Sequence, residues 1–158
     1  MSHLSKTLLL SAGLLSMLAL TACAGAAPAN VQQDALSRTL SPCPDSPNCV
    51  STQAPVTDTE HFIEPIPFTG SAADARQKLL AVIAAMPRTE IVTDEETYIH
   101  ATFASQIFRF VDDVQFVIDD AAKTIHFRSA SRMGRSDMGV NRKRMEEIRT
   151  SFTQAAVP

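Results

Sequence analysis

The sequence predicts an α+β fold: a small two-layer domain in which an antiparallel sheet of about three to five strands packs against two helices. Three observations carry this. Residues 72–86 repeat apolar side chains at helical spacing, residues 90–131 alternate them at strand spacing, and from Val140 onward helical spacing returns. The strands are thus consecutive and set between helices, which favours antiparallel hairpins over a parallel sheet with crossover helices.

The chain has 158 residues, is 45% apolar and 20% charged, and so suits one globular domain. Its first 22 residues stand apart. Lys6 gives a short basic start, and Thr7–Leu20 is an apolar run of signal-peptide length that is too short and too early for a membrane-spanning helix. The run ends in Leu20-Thr21-Ala22-Cys23, small residues directly before a cysteine. That arrangement resembles the lipobox of bacterial lipoproteins, which implies cleavage before Cys23 and a membrane anchor of acyl chains on it. The competing reading is an uncleaved N-terminal anchor. The expected address is the cell envelope, lipid-anchored and facing the periplasm. Ala24 is not the Asp that marks inner-membrane retention, so the outer membrane is favoured. Residues 23–41, small, polar and aperiodic, read as a flexible tether, and residues 42–156 as the domain.

The formal net charge is −3, and removal of residues 1–22 takes one cation with it. An acidic exported protein is a poor nucleic-acid binder, so no nucleic-acid partner is expected. Cys43 and Cys49 flank the turn-rich PDSPN and form an even pair in an oxidising compartment, which favours a disulfide. Two cysteines without nearby histidines do not make a zinc site, and neither metal nor cofactor is expected.

Thr59–Phe68 carries Phe62, Ile66 and Phe68 among two prolines and can be at most an edge strand. The first helix is expected from Ala72 to Met86, capped by Ser71 with Asp74 three residues on and stopped by Pro87. Strands follow at Glu90–Thr93, Tyr98–Ala104, Phe108–Asp119 and Thr124–Ser131, the last two joined by a turn at Asp119–Lys123. Alternation points His100 and His126 away from the apolar face, as surface imidazoles. After Ser131 comes a loop through Gly139, then a helix from Val140 to Gln154 with Met145, Ile148 and Phe152 as its stripe.

The candidate chemistry lies in Arg128–Arg144, which gathers Arg128, Arg132, Arg135, Arg142, Lys143 and Arg144 around Asp137. Cations in the first turn of a helix are disfavoured by its dipole. Something must offset them: an external anion held at the helix N-terminus, or internal carboxylates such as Asp112 and Asp113 pairing with Arg132, Arg135 or Arg142. Helical pairs Arg142–Glu146 and Lys143–Glu147 are also expected. Adjacent strand residues point to opposite faces, so Asp112 and Asp113 do not form a catalytic dyad. Ser129, Ser131 and Ser136 lie in no nucleophile elbow.

The stretches CPDSPNCVST at 43–52, FRFVDDVQF at 108–116 and RSASRMGRSDMGVNRKRMEEIR at 128–149 resemble domain-of-unknown-function family DUF1499, whose members are small, often exported or membrane-attached bacterial proteins with relatives in plastids. The resemblance spans about Pro42 to Phe152. It implies a shared domain and no known reaction. Its signature falls here on Asn48, Asp112, Asp113, Arg128, Ser129, Ser131, Arg132, Gly134, Arg135, Asp137, Gly139, Asn141 and Arg142. That polar set is larger than one ion network needs, which tilts the reading toward a site for an anionic small molecule, a lipid headgroup or a partner carboxylate. In that reading Arg132, Arg135, Arg142 and Asn141 contact the anion, while Asp112 or Asp113 holds an arginine. The alternatives are a structural or interaction protein with an internal Arg–Asp network, and a hydrolase using Ser or Asp from the same cleft.

Overall fold

The computed structural model describes residues 28–31 and 39–155, and the signal-peptide and Cys23 expectations lie outside them. The fold is α+β, with six strands and two long helices among the described residues. The strands are β1 (Cys49–Ser51), β2 (Ile66–Pro67), β3 (Thr89–Asp94), β4 (Tyr98–Ala104), β5 (Val111–Asp119) and β6 (Thr124–Ser131). The helices are α1 (Ala72–Ala84) and α2 (Val140–Gln154). The sheet order is β1-β6-β5-β4-β3, all antiparallel. β2 shares the outer edge of β6 with β1: Ile66 faces Ile125, while Cys49 faces Ala130. The sheet thus exceeds the expected three to five strands by the three-residue β1, too short to show alternation.

Helix α1 begins as its sequence dictates. The Ser71 hydroxyl accepts from the Asp74 amide, as an N-cap does, and donates to the Asp74 carboxylate at 2.6 Å. Its buried face, Ala75, Leu79, Val82 and Ile83, meets Met145, Ile148 and Phe152 of α2 and one face of the sheet. From the sheet come Val50, Ile99, Ala101, Phe103, Val114, Phe116, Ile118, Ile125 and Phe127. Alternation put all of these but Val50 on one face, and together they form the core.

The expected strand Phe108–Asp119 starts later, at Val111. Arg109 adopts φ 57, which breaks extension and leaves Phe108 and Phe110 in the β4–β5 turn. The larger departure is on the sheet's other face. A two-layer fold would leave that face in water, yet Tyr98, His100, Asp113, Gln115 and Arg128 are each at most 4% exposed. Residues 28–31 and the cysteine loop lie over it: the Tyr98 hydroxyl donates to the Val31 carbonyl, and Pro28, Asn30, Val31, Pro42, Cys43 and Pro44 line a cleft with Asp113, Arg128 and Arg132. The expected tether 23–41 therefore contains residues packed on the domain, since Val31 and Leu40 are buried. Cys43 and Cys49 are disulfide-bonded, with Cα atoms 5.7 Å apart, and tie this cover to β1.

Candidate functional site

Strand alternation divides the Arg128–Arg144 motif between the two faces of the sheet. Asp112 and Asp113 show the division most plainly. In register, Asp112 stands opposite Ser131 and Asp113 opposite Ala130, so the two carboxylates project to opposite sides.

On the helix side, Asn141 is the hub. Its amide nitrogen donates to the Asn48 carbonyl at 3.2 Å, the Ser131 hydroxyl at 3.0 Å and the Asp137 carboxylate at 2.9 Å. Its amide oxygen accepts from the Ser129 hydroxyl and from Arg144 Nη1 at 2.9 Å. Arg144 Nη2 reaches Asp112 at 2.6 Å, and its guanidinium lies 4.8 Å from the centre of the Phe103 ring. Asn48 in turn donates to the Gly134 carbonyl at 2.6 Å. This network joins the 132–139 loop and the start of α2 to β1, β5 and β6.

Asp137 also answers the dipole question. The N-terminal cap position is Gly139, in the left-handed region at φ 78 with no side chain to offer. Asp137 supplies the missing acceptor, taking the Gly139 amide at 3.0 Å and the Asn141 amide at 2.7 Å. An internal carboxylate therefore sits where the helix dipole is positive and the nearby cations are concentrated.

The other face holds Asp113, His100, Arg132, Arg128, Gln115 and Tyr98. Arg132 grips Asp113 with two hydrogen bonds, both 2.8 Å. His100 Nε2 lies 2.8 Å from Asp113 Oδ1, the oxygen that also accepts from Arg132 Nη2. Burial works to raise the Asp113 pKa, but the bonds from Arg132 and then His100 outweigh it and hold it below the ordinary carboxylate range. Asp113 is thus an acceptor only, and Nε2 of His100 carries the hydrogen between them. The Arg132 pKa is raised by Asp113 in return. Arg128 reaches Gln115, whose amide nitrogen donates to the Tyr98 hydroxyl at 3.1 Å. The cleft of about 350 Å³ under the N-terminal cover opens onto Asp113, Arg128, Ser131 and Arg132.

The arginines therefore do not converge on one pocket. Arg132 and Arg128 face the outer cleft. Arg142 extends the other way and donates to the carbonyls of Glu60 and Phe62 at 3.0 and 2.9 Å, fastening the 59–62 loop. The expected pairs Arg142–Glu146 and Lys143–Glu147 are not those formed: Glu146 pairs with Arg149 at 3.0 Å, because the backbone carbonyls claim Arg142. Arg135 is exposed in the loop. Ser129 and Ser131 bond to Asn141, on the opposite side of the sheet from His100. His100 does point away from the core as alternation implies, but it is buried against Asp113 and is no surface imidazole.

Sequence reasoning missed Arg144, His100, Gln115 and Tyr98 as parts of these networks. Arg144 carried a readable signal: Asn141 and Arg144 lie four residues before Met145 and Ile148, on the buried stripe of α2. Among the described residues no group of three or more His, Cys, Asp or Glu side chains is arranged for a metal ion.

No curated protein matches this chain. The family model described as "Protein of unknown function (DUF1499)" matches residues 39–152, most of the chain and the whole of both polar networks apart from the cover at residues 28–31. The chain belongs to this family.

Proposed function

We propose that this is a lipid-anchored protein of the cell envelope whose domain binds a small ligand bearing an anionic group, such as a carboxylate or phosphate, in the cleft on the outer face of the sheet. The observation that carries the reading is the gathering of guanidinium groups in that cleft. Arg128 and Arg132 line, with Asp113, a partly enclosed space of about 350 Å³. A planar guanidinium suits the oxygens of such a group, and Asp113 with His100 holds Arg132 in position for it. The site is narrower than the whole 128–144 motif. Asp112, Ser129, Asp137 and Asn141 serve the opposite network, and Arg142 fastens a loop.

The structural alternative is favoured for that opposite network alone, where Asn141 satisfies its partners within the fold. The hydrolase reading needs a nucleophile against the His100 imidazole, and the motif serines are engaged elsewhere. The test is calorimetric titration with inorganic phosphate and with succinate. Saturable binding that is lost in Arg132→Gln and Arg128→Gln, but kept in Arg135→Gln, supports the reading, with folding checked by circular dichroism. Heat from neither anion, or equal loss in Arg135→Gln, overturns it.

A further inference from the structure

One end of the domain is built unlike the rest of its surface. The β4–β5 turn, the 133–139 loop and the start of α2 meet there. The backbone shows it: Arg132 N donates to the Val111 carbonyl at 3.0 Å, and Val140, Lys143 and Arg144 share a concavity with Arg88, Phe103 and Ala104. Of the eight large apolar side chains exposed among the described residues, six are at this end: Ile107, Phe108, Phe110, Met133, Met138 and Val140. Ile107 is 80% exposed, Phe108 73% and Met138 96%.

The backbone holds them outward. Arg109 and Met138 sit at the two loop apices with φ 57 and 56, a left-handed conformation that bulky residues seldom adopt. The turn at Arg109 is pinned by Ser105, whose amide donates to the Phe110 carbonyl and whose hydroxyl accepts from the Phe110 amide. Phe108 and Phe110 then stack on each other at 5.6 Å rather than folding into the core.

Charge is arranged around these side chains in a consistent way. Exposed Arg88, Arg109, Arg135 and Lys143 flank them. Exposed acids are present but fewer, namely Asp45, Glu90 and Glu147, while Asp137 is turned inward as the cap of α2. Five acids of an otherwise acidic chain lie at the other end of the sheet, in Asp94-Glu95-Glu96 and Asp119-Asp120.

We propose that this end docks directly on an anionic lipid surface, with Ile107, Phe108, Phe110 and Met138 entering the interface and the four cations meeting the headgroups. Aromatic side chains with flanking arginine and lysine are the side chains that settle at a bilayer interface. Screening by salt weakens the headgroup attraction. The docking does not depend on the acyl anchor or on the cleft ligand, because its residues belong to neither.

The experiment uses the chain from residue 23 carrying Cys23→Ser, so that neither acyl groups nor the apolar leader contribute. Every buried apolar side chain among the described residues lies between Val31 and Phe152, so this chain keeps its fold. Sedimentation with phosphatidylglycerol vesicles is compared with phosphatidylcholine vesicles. The expected result is binding to the anionic vesicles that weakens with salt and falls about tenfold in Phe108→Ser/Phe110→Ser, while Val56→Ser, 72% exposed elsewhere, leaves it unchanged. The chain has no tryptophan, so Phe108→Trp gives a single reporter, whose emission shifts to the blue with anionic vesicles. No sedimentation, undiminished binding of the double variant or an unshifted emission overturns the proposal. Equal binding to both vesicle types overturns its electrostatic half.

Discussion

Asp113 is where a single residue carries the most consequence. It is 2% exposed and accepts from both Arg132 and His100. Its pKa is depressed in the fold, so it contributes stability that is complete above the unfolded value and lost as pH falls through the folded one. Asp113→Asn removes the carboxylate that both the Arg132 guanidinium and the His100 imidazole bond. The expected loss near neutrality is about 3 kcal/mol, at the low end for a broken buried pair because the Arg132 side chain is 20% exposed. The two proteins should differ in melting temperature by a constant amount down to about pH 5, and the difference should shrink below about pH 4, where the unfolded chain takes up the proton that the fold keeps off Asp113. A difference that stays constant or widens in acid would refute the assignment. This residue was half legible in the sequence. Alternation separated it from Asp112 and allowed Arg132 as its partner, but nothing local signalled His100, because the pair comes from neighbouring strands 13 residues apart.

At the scale of elements, α2 shows why a charge run misleads. Arg142, Lys143 and Arg144 read as one cationic cluster in the first turn, yet they have three different fates. Lys143 is exposed, Arg142 holds carbonyls of the 59–62 loop, and Arg144 is drawn under the helix to Asp112. Helical phase distinguishes them where composition does not, since only Arg144 shares the face of Asn141, Met145 and Ile148. The α2–sheet junction depends on Asn141 acting as donor and acceptor at once. Asn141→Asp keeps the shape and replaces the donor by an anionic oxygen facing the Asn48 carbonyl and the Asp137 carboxylate. An unsatisfied buried polar group costs about 1–3 kcal/mol, and at least two are created, so a loss of about 3 kcal/mol or more is expected. In a domain of this size that lowers the melting temperature by roughly 12 °C. A drop under about 4 °C would mean that apolar packing alone seats the helix. Strand β4 and helix α1 were legible almost to the residue because each has one apolar face and clear end signals, Ser71 and Pro87 for the helix. The three-residue β1 is held by the disulfide and by pairing with β6, constraints that no local pattern expresses.

For the whole molecule, the decisive feature is that both faces of the sheet are covered. Helices cover one, while the N-terminal segment and cysteine loop cover much of the other. The sequence hid the second cover twice over. Its residues are small and aperiodic, and the face beneath is polar, so each looked like solvent-facing material. That same N-terminal segment is the route by which an anchor at Cys23 would reach the domain. Among the described residues no helix is long and apolar enough to cross a membrane. The anchor makes its own prediction. Expression of the full chain in a bacterial host fed an alkyne-bearing fatty acid should label it, and mass spectrometry should find an acylated N-terminal peptide beginning at Cys23. Cys23→Ser should abolish both the label and the cut. A chain that keeps residues 1–22 and takes up no acyl group would be held by its apolar leader instead, and the N-terminal cover over the cleft would then run directly from a membrane-embedded segment.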